Sequence, residues 1–235
     1  MALQELSHAV EDYAKAIYVL EERTGGPVTN NAIAERLAVT PASASSMVKK
    51  LDGLGLVAHV PYRGVRLTAR GRRVALEVLR HHRLLERYLV EELGVPWDRV
   101  HDEAEVLEHV LSEDLEARIA AKLGDPRHDP HGDPIPTLDL EIERDETRSL
   151  GELDEGDEAV FTRVSDSDPE KLRYLHDRGI APGMPLSVVG REPFGGPLLV
   201  RIEGREHALG RELAAAMRVE TSHHAAPRRT VQRPE

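Results

Sequence analysis

Two stretches of the sequence collect imidazoles and carboxylates at helical spacing. His82 and Glu86 stand one turn apart on a row that begins at Val78. Further on, His101, Glu105, Glu108, His109 and Ser112 follow in steps of about one turn. Beside the second set runs an apolar row of Val100, Ala104, Leu107 and Leu111, which sets the buried face of its helix. A solvated helix face uses the same residue types. Two successive helices that each present His and Glu next to an apolar row favour convergence, and imidazole nitrogens with carboxylate oxygens make a site for a divalent first-row metal. His81, His128, His131, His176, His207, His223 and His224 lack such a setting and read as surface residues.

A second set of residues suits phosphates and base edges. Thr40 with Pro41 starts a helix whose outward side carries Ser43, Ser45, Ser46, Lys49 and Lys50, small or basic side chains that allow close approach to a groove. Arg63 and Arg66 follow on a predicted hairpin. Long Arg or Asn readers are absent from the centre of that helix, so sequence preference would lean on methyl contacts and DNA shape.

The elements that position these groups follow from pattern. Val10, Ala14, Ile17 and Leu20 recur at helical spacing in residues 8–22, and Gly25, Gly26 and Pro27 end that helix. A short helix capped by Thr29, a turn at Ala38 and Val39, and the helix from Thr40 make a helix-turn-helix; the alternating stretch LVAHVPYRGVRLT adds a wing around Tyr62, Arg63 and Gly64. Thr68 caps a long helix to about Leu93, and a further helical pattern runs from Trp97 to Leu123. The Pro-, Gly- and Asp-rich run GDPRHDPHGDPIP (124–136) reads as extended or turning chain at a domain boundary, and short alternating segments from about Arg148 to Glu220 suggest a small barrel. The expected fold is therefore mainly α in its N-terminal part, with a small C-terminal β-barrel. The divisions are a winged helix-turn-helix over 1–73, a helical metal-binding and dimerisation domain over 74–123, a Pro-rich linker over 124–147, the barrel over 148–221 and a disordered tail over 222–235.

Composition narrows the functions. The chain has 235 residues and a net charge of −11, yet residues 41–87 carry ten Lys and Arg against three acidic residues. A basic segment inside an acidic chain can meet nucleic acid while the remainder supplies carboxylates. Without cysteine there are no disulfides, thiolate metal ligands or cysteine nucleophiles. No apolar run approaches the roughly 20 residues of a spanning helix, and residues 1–22 lack a basic start followed by an apolar stretch, so no membrane partner is expected and the cytoplasm is the expected location. A carboxylate-bridged oxygen-activating enzyme would need paired E-x-x-H motifs on a bundle, and this chain has one E-x-x-x-H segment, Glu105 to His109. A regulator rather than an enzyme is expected. The competing reading is a winged-helix regulator that senses an organic ligand, with the His and Glu rows merely solvated.

The order of these features, with EDYAKAIYVLEE (11–22), IAERLAVTPASASSMVKKL (33–51), YRGVRLT (62–68), HRLLERYL (82–89), HDEAEVLEHVLS (101–112) and GDPIP (132–136), resembles the diphtheria toxin repressor family of metal-dependent transcriptional regulators. The resemblance implies an SH3-like, FeoA-like barrel and a repressor that binds operator DNA as a metal-loaded homodimer, without an organic substrate. It implies a primary site of Asp12, Glu105, Glu108 and His109. An ancillary site would take His82, Glu86 and His101 with an acidic ligand from the barrel, Asp168 by position and Glu170 second. The Pro-rich linker resembles a ligand for the barrel itself. Where the family's iron branch has Met and Cys, this chain has Asp12 and Glu105, so manganese is the expected metal, iron the second candidate, and Co(II) and Zn(II) the substitutes in vitro. The manganese branch often carries a further Glu one turn after the Asp; here that position is Lys15.

Overall fold

The computed structural model describes residues 6–143, 146–165 and 168–221. Residues 222–235, where a disordered tail is expected, lie outside the described residues. The chain divides into two units, 1–143 and 144–235.

In the first unit, α1 (His8–Thr24), α2 (Asn30–Arg36) and α3 (Pro41–Gly53) precede a hairpin of β1 (Val57–Val60) and β2 (Gly64–Leu67), followed by the long α4 (Ala69–Leu93). The helix starts are set by capping: Thr29, Thr40 and Thr68 each accept a backbone N–H of the first turn, and Pro41 takes a position where a missing N–H costs nothing. Val10, Ile17 and Leu20 of α1 pack on Ile33, Val48, Leu51, Leu56 and Val65 to form the core of the helix-turn-helix. A different face of α1, Ala14 and Tyr18, packs on Ala75, Leu76 and Leu79 of α4. α1 is thus common to the DNA-reading unit and the long helix.

The helical pattern from Trp97 to Leu123 is two helices, α5 (Val100–Leu107) and α6 (Glu113–Lys122). Ser112 accepts the Leu115 N–H and opens α6 with Glu113, Asp114 and Glu116 in its first turn, and this capping outweighs the continuing apolar period. The apolar row divides with it. Val100 and Ala104 are buried, whereas Leu107 is exposed.

The Pro-rich run does not stand as a free linker. Arg83 donates to the Pro134 carbonyl at 2.5 Å and Arg80 to the Pro136 carbonyl at 2.6 Å, while Ile135 is buried with Leu84 and Leu85. Pro134 and Pro136 are therefore engaged by α4. The boundary expected at Gly124–Pro136 lies nearer residue 143. Two histidines expected at the surface are buried with it: His81 is 3% exposed and His131 0%.

The second unit is an antiparallel sheet of β3 (Arg148–Ser149), β4 (Glu158–Val164), β5 (Pro185–Arg191), β6 (Leu198–Ile202), β7 (Arg205–Leu209) and β8 (Met217–Thr221), in the order β3-β8-β4-β5-β6-β7. Its strands alternate, with Phe161, Val188, Val200 and Val219 inward, and α7 (Pro169–His176) and α8 (Arg211–Ala216) bury Leu172, Leu175 and Ala214. Register shifts at Phe161/Arg163 and Val188/Gly190 bend the sheet into an SH3-like form.

The wing depends on one glycine. Gly64 has φ +112°, and a Cβ there would meet the Val28 carbonyl oxygen at 2.0 Å, where Val28 and Val65 exchange backbone hydrogen bonds. Gly64→Ala should lower stability by about 1–3 kcal/mol, and calorimetry is the measurement; an unchanged melting temperature would show that the wing relaxes at no cost.

Candidate metal centre

The ligand candidates converge between α1, α4 and the end of α5. Because α5 stops at Leu107, His109 leaves the helical path and turns toward α1: its Nε2 lies 2.8 Å from Asp12 Oδ1 and 3.5 Å from Glu108 Oε1. On its other side Nδ1 donates to Glu11 Oε2 at 2.7 Å, and His8 stacks on the ring at 4.5 Å. A carboxylate that claims Nδ1–H leaves Nε2 to present its lone pair, the arrangement of a metal-ligating imidazole. Glu11 is buried beside Asp12 and was missed in the sequence, where an acidic residue in a first helical turn reads as dipole compensation.

The second cluster is deeper. His82 Nε2 lies 3.0 Å from Glu86 Oε1 and 3.1 Å from His101 Nδ1, and His101 Nδ1 lies 3.4 Å from Glu86 Oε1. His82 Nδ1 donates to Glu108 Oε2 at 2.5 Å, which connects the two clusters. Val78, His82 and Glu86, which share one row of α4, are all buried. Burial alone would lower the His82 pKa, but the Glu86 charge and hydrogen bonds to Glu108 and Glu86 push it up to about 9. Burial would likewise raise Glu86, yet the charge of His82, with His101 and His131 beside the carboxylate, holds it well below the usual carboxylate range.

Four groupings have donor atoms within 4.8 Å of one another: Asp12, Glu108 and His109; His82, Glu86 and His101; His82, Glu105 and Glu108; and Glu86, Asp129 and His131. Glu105 does not join Asp12 and His109. It turns to Lys15, whose ammonium lies 2.6 Å from both Glu105 Oε1 and Glu108 Oε1, and it stands 3.6 Å from His101. Burial would lower the Lys15 pKa, but Glu108 and Glu105 raise it, so it remains an ammonium. Burial raises Asp12 despite the opposing charges of His109 and Lys15. Asp12 Oδ1 and Glu86 Oε2 are sealed from solvent with no hydrogen-bond donor aligned on either, and the donors are all oxygen and nitrogen. These residues fit a divalent ion.

His81 holds the bend before α6. Its Nδ1 donates to the Glu108 carbonyl at 3.1 Å and its Nε2 meets Glu116 Oε2 at 3.0 Å, while Arg80 donates to the other oxygen of Glu116. Asp168 lies in the second unit, where it caps α7 by accepting from the Glu170 and Lys171 backbones and pairs with the Lys171 ammonium at 3.0 Å.

On the basic face, Ser43, Ser46, Lys49 and Lys50 are exposed along α3, with Thr40 at its start, and Arg63 and Arg66 are exposed on the wing. Ser45 instead accepts from Asn30 Nδ2 at 3.0 Å and pins α2 to α3. Tyr62, read from the sequence only as a turn residue, stands fully exposed at the wing tip.

Comparison with known proteins agrees with this layout. Residues 5–65 match the iron dependent repressor N-terminal DNA binding domain, 68–137 the iron dependent repressor metal binding and dimerisation domain, and 148–221 the FeoA domain. The iron-dependent repressor IdeR of Mycobacterium leprae is 35% identical over 231 residues, spanning 93% of this chain and 99% of its own. The chain belongs to the diphtheria toxin repressor family. The diphtheria toxin repressor of Corynebacterium diphtheriae is 33% identical, over 93% of this chain and 99% of its own. Among solved structures, a manganese-dependent transcriptional repressor in complex with manganese is 44% identical with a TM-score of 0.83, covering 91% of this chain and 100% of its own. The manganese regulator SloR is 31% identical with a TM-score of 0.74, over 91% and 98%. As a family member the chain is a metal-dependent transcriptional repressor with DNA-binding and dimerisation domains, a regulator by family. Among the described residues no helix is long and apolar enough to cross a membrane.

Binding at the deeper cluster has to displace the His82 proton. With that pKa at about 9, divalent-ion affinity there should rise by roughly tenfold per pH unit between pH 6.5 and 8.5 and level off above. Calorimetric titration at three pH values measures this, and a pH-independent affinity would contradict the His82 assignment.

Proposed function

We propose that this repressor responds to manganese, with iron as its second metal, and binds operator DNA as a metal-loaded homodimer to control metal-homeostasis genes. The observation that carries the reading is the donor set of Asp12, Glu108 and His109, all hard oxygen or imidazole nitrogen, with no sulfur. The manganese-dependent relative at 44% identity supports the same choice. Manganese, when bound, supplies a hard divalent charge that tolerates several oxygen ligands. The primary ligands are Asp12, Glu108 and His109, with Glu105 a further donor once Lys15 yields it; the ancillary ligands are His82, Glu86 and His101, with Asp168 the candidate from the second unit.

The chain's own residues explain the coupling. Asp12 lies on α1, within the core of the helix-turn-helix, whereas Glu108 and His109 follow α5 and are anchored to α4 through His81 and His82. Without a metal ion, Glu108 is matched by the flexible Lys15 ammonium; an ion shared by Asp12, Glu108 and His109 would clamp α1 to the α4–α5 pair. A coupling of ~1–3 kcal/mol per site suffices, because two protomers act together. Val106, Leu107, Val110 and Leu115 form an exposed apolar face on α5, α6 and the bend between them, suited to a second copy. Two α3 helices then meet successive major grooves about 34 Å apart. Lys49, Lys50, Arg63 and Arg66 contact phosphate, with Thr40, Ser43 and Ser46 against the groove.

The test is operator binding by fluorescence anisotropy, with chelated protein and Mn(II), Fe(II), Co(II) or Zn(II) added back singly. Mn(II) should activate the wild type, and Asp12→Met with Glu105→Cys should shift activation toward Fe(II) and Co(II). A double variant with the wild-type ranking overturns the selectivity argument, and equal binding in excess chelator overturns metal activation.

Two substitutions probe the other surfaces. Lys50→Ala should weaken binding to all DNA sequences alike and flatten the salt dependence by about one unit of slope. Val110→Glu should shift the protein to monomer in sedimentation at micromolar concentration; an undisturbed dimer would place the interface elsewhere.

A further inference from the structure

Inward of the deeper cluster, the segment after α6 brings two more donors to Glu86. Glu86 uses Oε1 toward His82 and His101; its Oε2 points the other way, is sealed from solvent and accepts no hydrogen bond. Facing it at 3.6 Å is Nδ1 of His131, a residue with 0% exposure. His131 Nε2 lies 2.8 Å from the Trp97 carbonyl oxygen, which can only accept, so Nε2 carries a proton and Nδ1 is the nitrogen turned toward the carboxylate. Asp129 completes the group. Its Oδ1 accepts from the His131 and Asp133 backbones at 2.8 and 2.9 Å, which fixes the carboxylate and leaves Oδ2 for another partner.

We infer that Glu86, Asp129 and His131 form a further binding site for a first-row divalent cation, in which the Glu86 carboxylate bridges to the neighbouring cluster. At 3.6 Å, Glu86 Oε2 and His131 Nδ1 stand farther apart than a charge-assisted hydrogen bond, which spans about 2.7–2.9 Å, and at a spacing that suits two ligands of one ion. Donors about 2.1 Å from a cation at a near-tetrahedral angle stand about 3.4 Å apart. Each ligand already has the support that ligating groups require, the Trp97 carbonyl for His131 and two backbone N–H groups for Asp129. Arg83 lies on the outer side, 3.2 Å from Asp133 and 3.8 Å from Asp129 Oδ2, so these two buried carboxylates share one guanidinium. A site enclosed by protein ligands would hold its ion as a structural tie between the 124–136 segment and α4. The inference shares Glu86 with the ancillary cluster proposed above and is otherwise independent of it.

The experiment is anomalous diffraction from crystals of the full chain loaded with Mn(II), together with equilibrium dialysis and metal analysis of wild type, His131→Phe and His101→Ala. A peak between Glu86, Asp129 and His131, with one ion fewer per chain in His131→Phe, is the expected result. Peaks at the other two clusters with none beside His131 overturn this site and leave the proposed function standing; a peak beside His131 alone does the reverse. Should His131→Phe fail to fold, nitrogen-15 spectra of the wild-type ring decide: Nδ1 should be unprotonated without metal and shift when Mn(II) is replaced by diamagnetic Zn(II). A ring protonated at both nitrogens and unmoved by Zn(II) overturns the site.

Discussion

Glu86 and Glu108 are both sealed from water, and carboxylates so placed must be matched by positive charge or hydrogen bonds or become neutral. The helices around them are arranged to meet that demand. Lys15 reaches across from α1 and His82 sits between the two carboxylates. His81 and Arg80 then fasten the bend that carries Glu108 to α6 and to the segment that follows. The proton on His82 and the Lys15 ammonium compensate these carboxylates without fixing coordination distances. A divalent ion supplies the same charge at fixed coordination distances, so a change in charge compensation becomes a change in geometry.

Lys15 gives this arrangement its particular character. At 2.6 Å from both Glu105 and Glu108 it occupies a cation position inside the carboxylate group. Burial would raise Glu105, but the Lys15 ammonium and then His82 hold it below its ordinary range, so its oxygens are charged and ready to ligate as soon as the ammonium moves. A lysine is a point charge on a flexible stem, able to swing away as an ion arrives where a guanidinium fork would hold on. It offsets the repulsion between Glu105 and Glu108.

Much of this was legible in the sequence where a periodic pattern or a cap carried it. Val78, His82 and Glu86 share a row because α4 is regular, and Thr29, Thr40 and Thr68 start helices where their types say they should. The parts that were not legible depend on contacts without period. Ser112 was read as one more polar step on a continuing helix, although its hydroxyl ends that helix and frees His109. His131 and Asp129 sit in a run of Pro and Gly that reads as linker, and only Arg80 and Arg83, donating to the carbonyls of Pro136 and Pro134, fold it inward. Glu105 was carried to the primary site by resemblance, whereas the lysine one turn after Asp12 draws it aside. Ser45 was placed at a groove by its type and is turned inward by Asn30.

α1 has one more property, which is mechanical. Asp12 belongs to the ligand group at one end, and nine residues later Glu21 accepts the Leu67 N–H of the wing at 2.9 Å, with Glu22 reaching Arg72. The two points lie about 13.5 Å apart on a single unbroken helix. No glycine or proline interrupts it between them. Such a segment transmits rotation as a beam does, so a small tilt imposed at Asp12 arrives at the wing undiminished and with little delay. The candidate ligand group and the wing are therefore tied to opposite ends of one helix, and whatever passes between them depends on the stiffness of the residues in the middle.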